Sequence, residues 1–150
     1  MLKHFRFGFD WKGLILFLAV MIPNFIWFAY PAPHDVLRSE SLTGTADTIG
    51  SVCQVLMVAC LCLIRNRRKP AAQAKGMIPA VISCVFLYFL CWVFYYLGHA
   101  GAAVLTGLTV FPCAAFLLYA CDRRNWIAAY LAGAFSVCHL IHTAVNFLFR

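Results

Sequence analysis

The run "GMIPAVISCVFLYFLCWVFYYLGHAGAAVLTGLTVFPCAAFLLYAC", Gly76 to Cys121, contains no aspartate, glutamate, lysine or arginine. A helix that crosses ~30 Å of hydrocarbon needs about 20 largely apolar residues. This run is about twice that length, so it holds two crossings rather than one. The break between them falls at "LGHAG", Leu97 to Gly101, where two glycines disfavour a continuing helix.

Working outward, uncharged stretches of about one span occur from Gly13 to Tyr30, Thr48 to Ile64, and Asn125 to Phe149. The pattern predicts an all-α, integral membrane bundle of five transmembrane helices in one domain over residues 1–150. The predicted spans cover about 13–30, 47–64, 77–97, 101–121 and 125–148. Composition agrees: 64% of residues are hydrophobic and 11% are charged, and mean hydropathy is +0.85. An ordinary soluble chain carries about 25% charged residues, so lipid must cover what polar surface cannot. An outer-membrane barrel is excluded, because its strands would alternate lipid-facing and lumen-facing residues and these runs do not.

The basic leader with Lys3, Arg6 and Lys12, followed by an apolar run, has the outline of a signal peptide. Pro23 and Asn24 interrupt that run, however, and the bulky residues Phe25 to Phe28 stand where small ones would mark a cleavage site. An uncleaved first span is expected. Basic residues alternate along the connections. After the basic N-terminus comes a segment with Asp35, Glu40 and Asp47 against Arg38, then Arg65, Arg67, Arg68, Lys69 and Lys75. The uncharged turn follows, and then Arg123 and Arg124. Lysine and arginine in short loops stay on the cytoplasmic side, which predicts a cytoplasmic N-terminus and an outside C-terminus. The net charge of +7 is thereby accounted for at the membrane surface and calls for no nucleic acid. Trp11, Tyr30 and Trp126 sit at span ends, where amphipathic aromatics anchor to the interface.

Eight cysteines would suggest a disulfide scaffold in a small secreted chain, but here seven fall within spans and no pair has C-x-x-C spacing. They are read as small apolar packing residues.

Polar residues inside spans are costly in lipid and usually face the bundle interior. On the last span, about 100° per residue puts Ala128, Ala132, Ser136, His139, Thr143 and Asn146 on one stripe, with His142 beside it. Tyr130, Val137, Ile141, Val145 and Leu148 occupy the opposite, lipid-facing side. Asp47, Ser51 and Gln54 share a face of the second span, and Pro23 precedes Asn24 in the first. At about 1.5 Å per residue, Asn24, Gln54 and His139 lie roughly 9 to 12 Å from the same membrane face. The expectation is a polar pocket in the outer half of the bilayer whose ligand-binding candidates are Asn24, Asp47, Gln54, His139, His142 and Asn146. Asn24 is also placed to satisfy the Ala19 carbonyl that Pro23 leaves without a donor. Asp47 has a plainer reading too, as a carboxylate near a helix N-terminus with Thr45 as the cap.

His139 and His142, three apart, have a plain reading as interhelical hydrogen-bonding groups. A ligand or proton site and a metal site are the sharper alternatives, the latter needing further ligands such as Asp47 or His34. No cofactor can be named.

Taken together, "IPNFIWF", "DTIGSVCQVLM" and "FPCAAFLLYA…HLIHTAVN" resemble a group of small, uncharacterised bacterial membrane proteins of about five spans. Pro23, Asn24, Asp47, Gly50, His139 and Asn146 carry the resemblance. Asp47 stands where that group implies glutamate, and Ser51 where it implies a basic residue. The resemblance implies a multi-pass protein of a bacterial plasma membrane, and no activity. Tryptophan-rich translocator-type proteins are excluded by the missing Trp-rich and Pro-Pro stretches. No nucleophilic-serine motif, phosphate-binding glycine loop or H-E-x-x-H is present, which argues against an enzyme. The leading expectation is a protein that binds or transports a small ligand. A structural or accessory subunit with a membrane-protein partner is the alternative, and a metal-dependent membrane enzyme is third. The lipid bilayer is the partner common to all three.

Overall fold

Five helices make up the computed structural model, which describes residues 5–33, 35–66 and 77–149. Lys3, His34, Arg67, Arg68, Lys69 and Lys75 lie outside the described residues. The helices are α1 (Trp11–Ala29), α2 (Gly44–Leu63), α3 (Met77–Tyr96), α4 (Ala102–Asp122) and α5 (Trp126–Thr143). A single π turn, Ala144–Leu148, carries α5 onward. Each helix, with that turn included, has 19 to 23 residues and is long and apolar enough to cross a membrane. The protein is a multi-pass, all-helical membrane bundle, as the charge-free runs require. The helix bounds follow the expected spans within a few residues. α2 begins at Gly44 rather than at residue 47, with Thr43 at its N-cap, while Thr45 is exposed in the first turn.

α4 is the central helix. Eleven of its residues are buried, against four or five on every other helix. α3 and α5 pack on it, α2 packs on α5, and α1 lies at the rim, touching α2 and α3. Lipid tails are as apolar as leucine, so helices in a membrane gain most where small residues let backbones approach. Gly107 of α4 lies so close to Cys91 Sγ of α3 that a Cβ would not fit, and a Cβ on Gly50 of α2 would sit 3.2 Å from Cys138 of α5. Ala128 and Ala132 are buried on α5, while Tyr130, Val137, Ile141, Val145 and Leu148 are exposed, as the stripe on that helix predicts. All eight cysteines are free thiols.

One end of the bundle holds a feature that hydropathy does not show. β1 (Phe5–Phe7) pairs antiparallel with β2 (Ile64–Asn66), Phe7 opposite Ile64. Gly8 N donates to Leu63 O at 3.0 Å and Asp10 N to Cys62 O at 2.7 Å, so the pairing runs into the start of α1. A Cβ at Gly13 would sit 3.1 Å from Leu61 O, so glycine allows α1 and α2 to meet here. At the other end α1 is tied to α3 instead. Asn24 Nδ2 donates to Tyr88 Oη at 2.8 Å, Tyr96 Oη donates to Tyr30 O at 2.7 Å, and the Trp27 and Trp92 rings lie 6.4 Å apart. α1 therefore leans from α2 at the ribbon end toward α3 at the opposite end.

The two tight connections close in the same way. After α3, His99 N bonds Phe94 O and Gly98 N bonds Tyr95 O, with Gly98 at φ 88°. This satisfies the last carbonyls through a left-handed residue, which glycine adopts without strain. After α4, Asn125 N bonds Ala120 O and Arg124 N bonds Cys121 O, but here the left-handed residue is Arg124, at φ 50°. Its carbonyl accepts a hydrogen bond from Asn66 Nδ2 at 3.0 Å.

Candidate functional site

Where α1 and α2 diverge, a cavity of about 590 Å³ opens between all five helices. That volume lies in the range of small-molecule sites. Asn24 from α1, Asp47 and Gln54 from α2, and His139 and His142 from α5 all line it. Five of the six candidates drawn from the sequence thus come together from three helices. α3 contributes Tyr88 and Trp92, and α4 an apolar floor of Leu105, Leu108, Pro112 and Phe116 with Thr109.

Asn146 is not part of the cavity wall. It is buried in the π turn, where its Oδ1 accepts from Leu42 N at 2.7 Å and its Nδ2 donates to Thr43 Oγ1 and to His142 O, each at 2.9 Å. It clamps the segment before α2 onto the end of α5. The stripe on α5 did point Asn146 inward, but the chain entering α2 occupies that space. Asn24 also differs from expectation: its Nδ2 donates to Val20 O at 3.0 Å, one turn back, rather than to Ala19 O.

Asp47 is fully engaged at this end. Its carboxylate accepts from Ser41 Oγ at 2.5 Å, from Thr43 Oγ1 at 3.0 Å and from His142 Nδ1 at 2.7 Å. The Nδ1–H donated to the carboxylate fixes the ring's position, so the Asp47 contact orients His142 as well as holding it. His139 is different. It stacks on Phe135, with centroids 5.2 Å apart and planes 19° apart, and has no hydrogen-bond partner among the described residues. Gln54, also on the cavity wall, has none either. The hydroxyl of Tyr88 accepts from Asn24 and keeps its own proton available. Trp92 Nε1 is buried without a hydrogen-bond partner among the described residues. Buried polar groups are nearly always paired, so the open Trp92 Nε1 is unusual, while His139 and Gln54 are half-buried and face the cavity.

The segment between α1 and α2 forms a roof. Asp35 accepts from Trp27 Nε1 at 2.8 Å, Tyr95 Oη at 2.7 Å and Arg38 Nε at 3.1 Å. Arg38 Nη2 in turn donates to Trp27 O at 3.0 Å, and Leu37 projects onto the cavity.

Metal chelation by the two histidines is poorly served by this geometry. Their rings lie 6.2 Å apart and only 13° from parallel, which keeps their in-plane lone pairs from converging on one ion. His142 Nδ1 is already taken by Asp47. Among the described residues, no group of three His, Cys, Asp or Glu side chains is arranged to hold a metal, and His34 lies outside them.

Sequence reasoning missed the aromatic wall. Tyr88, Trp92 and Tyr95 are buried on one face of α3, and their i, i+4, i+7 spacing was legible in "YFLCWVFYY". The Thr109–Thr143 contact at 2.6 Å, buried between α4 and α5, was also missed. Single threonines in a span carry little signal, because they can bond their own backbone, as Thr109 does with Leu105 O.

Compared with known proteins, the chain matches no family model, no curated protein and no solved structure. The resemblance carried by Pro23–Asn24 and His139…Asn146 thus remains one of short motifs, and function rests on the geometry of the cavity.

Proposed function

We propose that this protein is a multi-pass protein of a bacterial plasma membrane that binds a small ligand, for sensing or transport, in the five-helix cavity. One observation carries this reading: His139 and Gln54 line the cavity with hydrogen-bonding groups that the described protein leaves without partners. Both side chains are half-buried and open to the cavity, where a ligand would supply the partners that the protein does not. Asn24, Tyr88 and His142 Nε2 supply further donors and acceptors. The orientation with the ribbon end in the cytoplasm is supported by Arg6, Lys12, Arg65, Arg123 and Arg124, which all gather at that end. The cavity then lies in the outer half of the bilayer.

The test is thermal unfolding of the purified protein against a panel of water-soluble metabolites, parent beside His139→Phe. A compound that stabilises the parent and not the variant supports the reading. A panel that stabilises both alike, or neither, counts against a soluble ligand at this site.

The accessory-subunit reading draws on a different observation. Asp47, His142, Asn146, Thr43 and Ser41 satisfy one another and bind the roof to α5, as a purely structural network would. It predicts a co-purifying membrane partner and no dependence of any binding on His139.

A further inference from the structure

The cavity's wall is unevenly exposed, and that unevenness shows where it opens. Every lining residue from α3 and α4 is buried. The exposed lining residues are Phe28 on α1 and Ser51 on α2. No hydrogen bond or ring contact among the described residues joins α1 to α2 beside the cavity, since their bonds lie at the ribbon end and α1 has leaned to α3. The roof, latched through Asp35 to Trp27 and Tyr95, covers the cavity's top. The mouth is thus a side gap between α1 and α2, beginning at the last turn of α1 and reaching Ser51, about 10 Å into α2 at 1.5 Å per residue. Its neighbours on the bundle surface are Phe25, Val52 and Val55, each more than half exposed, so the gap faces hydrocarbon rather than an aqueous vestibule.

The interior constrains what could come through such a gap. Among the described residues, no lysine or arginine lines the cavity. Its one carboxylate, Asp47, already accepts three hydrogen bonds, from Ser41, Thr43 and His142. A charged headgroup would enter without an unengaged counter-charge, and burying an unpaired ion is far costlier than burying a hydroxyl, carbonyl or amide. The groups left open, on His139, Gln54 and Tyr88, are hydrogen-bond donors and acceptors suited to a hydroxyl, carbonyl or amide.

Resting on the ligand-binding reading above, we infer that the ligand is an uncharged amphiphile taken laterally from the bilayer. Its polar head bonds to His139 and Gln54, and its apolar tail passes between α1 and α2 past Ser51 and Phe28.

The experiment uses the full chain in lipid nanodiscs and follows thermal unfolding with added 1-oleoylglycerol. Lysophosphatidic acid of the same chain and free glycerol serve as controls. The variants are Ser51→Phe, which fills the mouth at an exposed position, and His139→Phe, which removes the polar partner while keeping the stack on Phe135. At a probe concentration about 100-fold above its Kd, the parent is expected to gain about 5–11 °C. The gain should vanish in both variants and be much smaller with lysophosphatidic acid, and glycerol should give none.

Equal gains in parent and variants would mean a general bilayer effect and overturn the inference. An equal or larger gain with lysophosphatidic acid would overturn the uncharged headgroup. A water-soluble compound whose effect depends on His139 but not on Ser51 would overturn lateral access while leaving ligand binding intact. If 1-oleoylglycerol gives no gain in the parent, the inference fails. The broader reading fails with it only if the soluble panel also shows nothing that depends on His139.

Discussion

The two ends of this bundle treat polar groups in opposite ways. At the ribbon end most of the major polar side chains are engaged, the exception among the described residues being buried Asp122, whose Oδ2 has no hydrogen-bond partner. Asn125, 1% exposed, donates to Cys60 O at 2.8 Å and Ile64 O at 2.9 Å and caps Ala128 N. Arg123 contacts Tyr119 Oη at 3.0 Å and Asp10 at 3.3 Å, while Asp10 caps α1 at Lys12 N. The opposite end has a comparable store of polar groups, but they divide into a self-satisfied shell around Asp47 and an open set facing the cavity. Paired groups hold helices together, whereas open ones cost stability until something binds. The ribbon end is built for cohesion, and the cavity end sacrifices some of it.

That contrast can be broken by substitution. Asn125→Ala should have the largest effect, because it removes three hydrogen bonds from a fully buried site, although Cys60 O keeps its bond from Ile64 N. A loss of about 3 kcal/mol is expected, read as a fall of roughly 6–12 °C in the unfolding midpoint. A midpoint within 2 °C of the parent would remove the argument that this end carries the cohesion. Asp47→Ala comes next. Its partners Ser41, Thr43 and His142 are half-buried or exposed, so water replaces part of what is lost, and a cost of about 1–2 kcal/mol is expected. Limited proteolysis should also cut faster between α1 and α2, since the shell holding that segment is gone.

Two smaller effects sharpen the comparison by going the other way. Arg124→Gly places glycine where a left-handed φ is required and should stabilise by about 0.5–1 kcal/mol, provided Asn66 still bonds the carbonyl. His139→Phe should change stability by less than about 0.5 kcal/mol, or raise it slightly, because an imidazole without a partner is exchanged for an apolar ring on the same stack. Should chemical denaturation show His139→Phe to be as damaging as Asn125→Ala, the division between the two ends would be wrong.

The candidate site was legible in part, and the residues show why. Asn24, Gln54 and His139 were placed at one depth by counting from helix ends, and that counting survives any packing arrangement. Asp47 and His142 could be named, but not their 2.7 Å contact, because nothing in either local sequence records that α2 lies against α5. Asn146 was given to the pocket since its stripe points inward. Only the path of residues 41–43 shows that its amide is consumed by Leu42 and Thr43. The β1–β2 ribbon was invisible for a related reason: two three-residue pieces 59 positions apart have no pattern until the helices bring them together.

By itself the sequence determined the number of crossings, their approximate ends and the lipid-facing side of α5. These follow from the thickness of hydrocarbon and from the helical repeat, both of which act on contiguous residues. Tertiary structure alone decided that α4 is central, that α1 leans from α2 to α3, and that the resulting gap leaves His139 and Gln54 facing an open cavity. Hydropathy cannot encode such choices, because a helix surface against lipid and one against another helix are equally apolar. What selects neighbours is close fit at Gly13, Gly50 and Gly107 and a few cross-helix hydrogen bonds, which exist only once the helices have met.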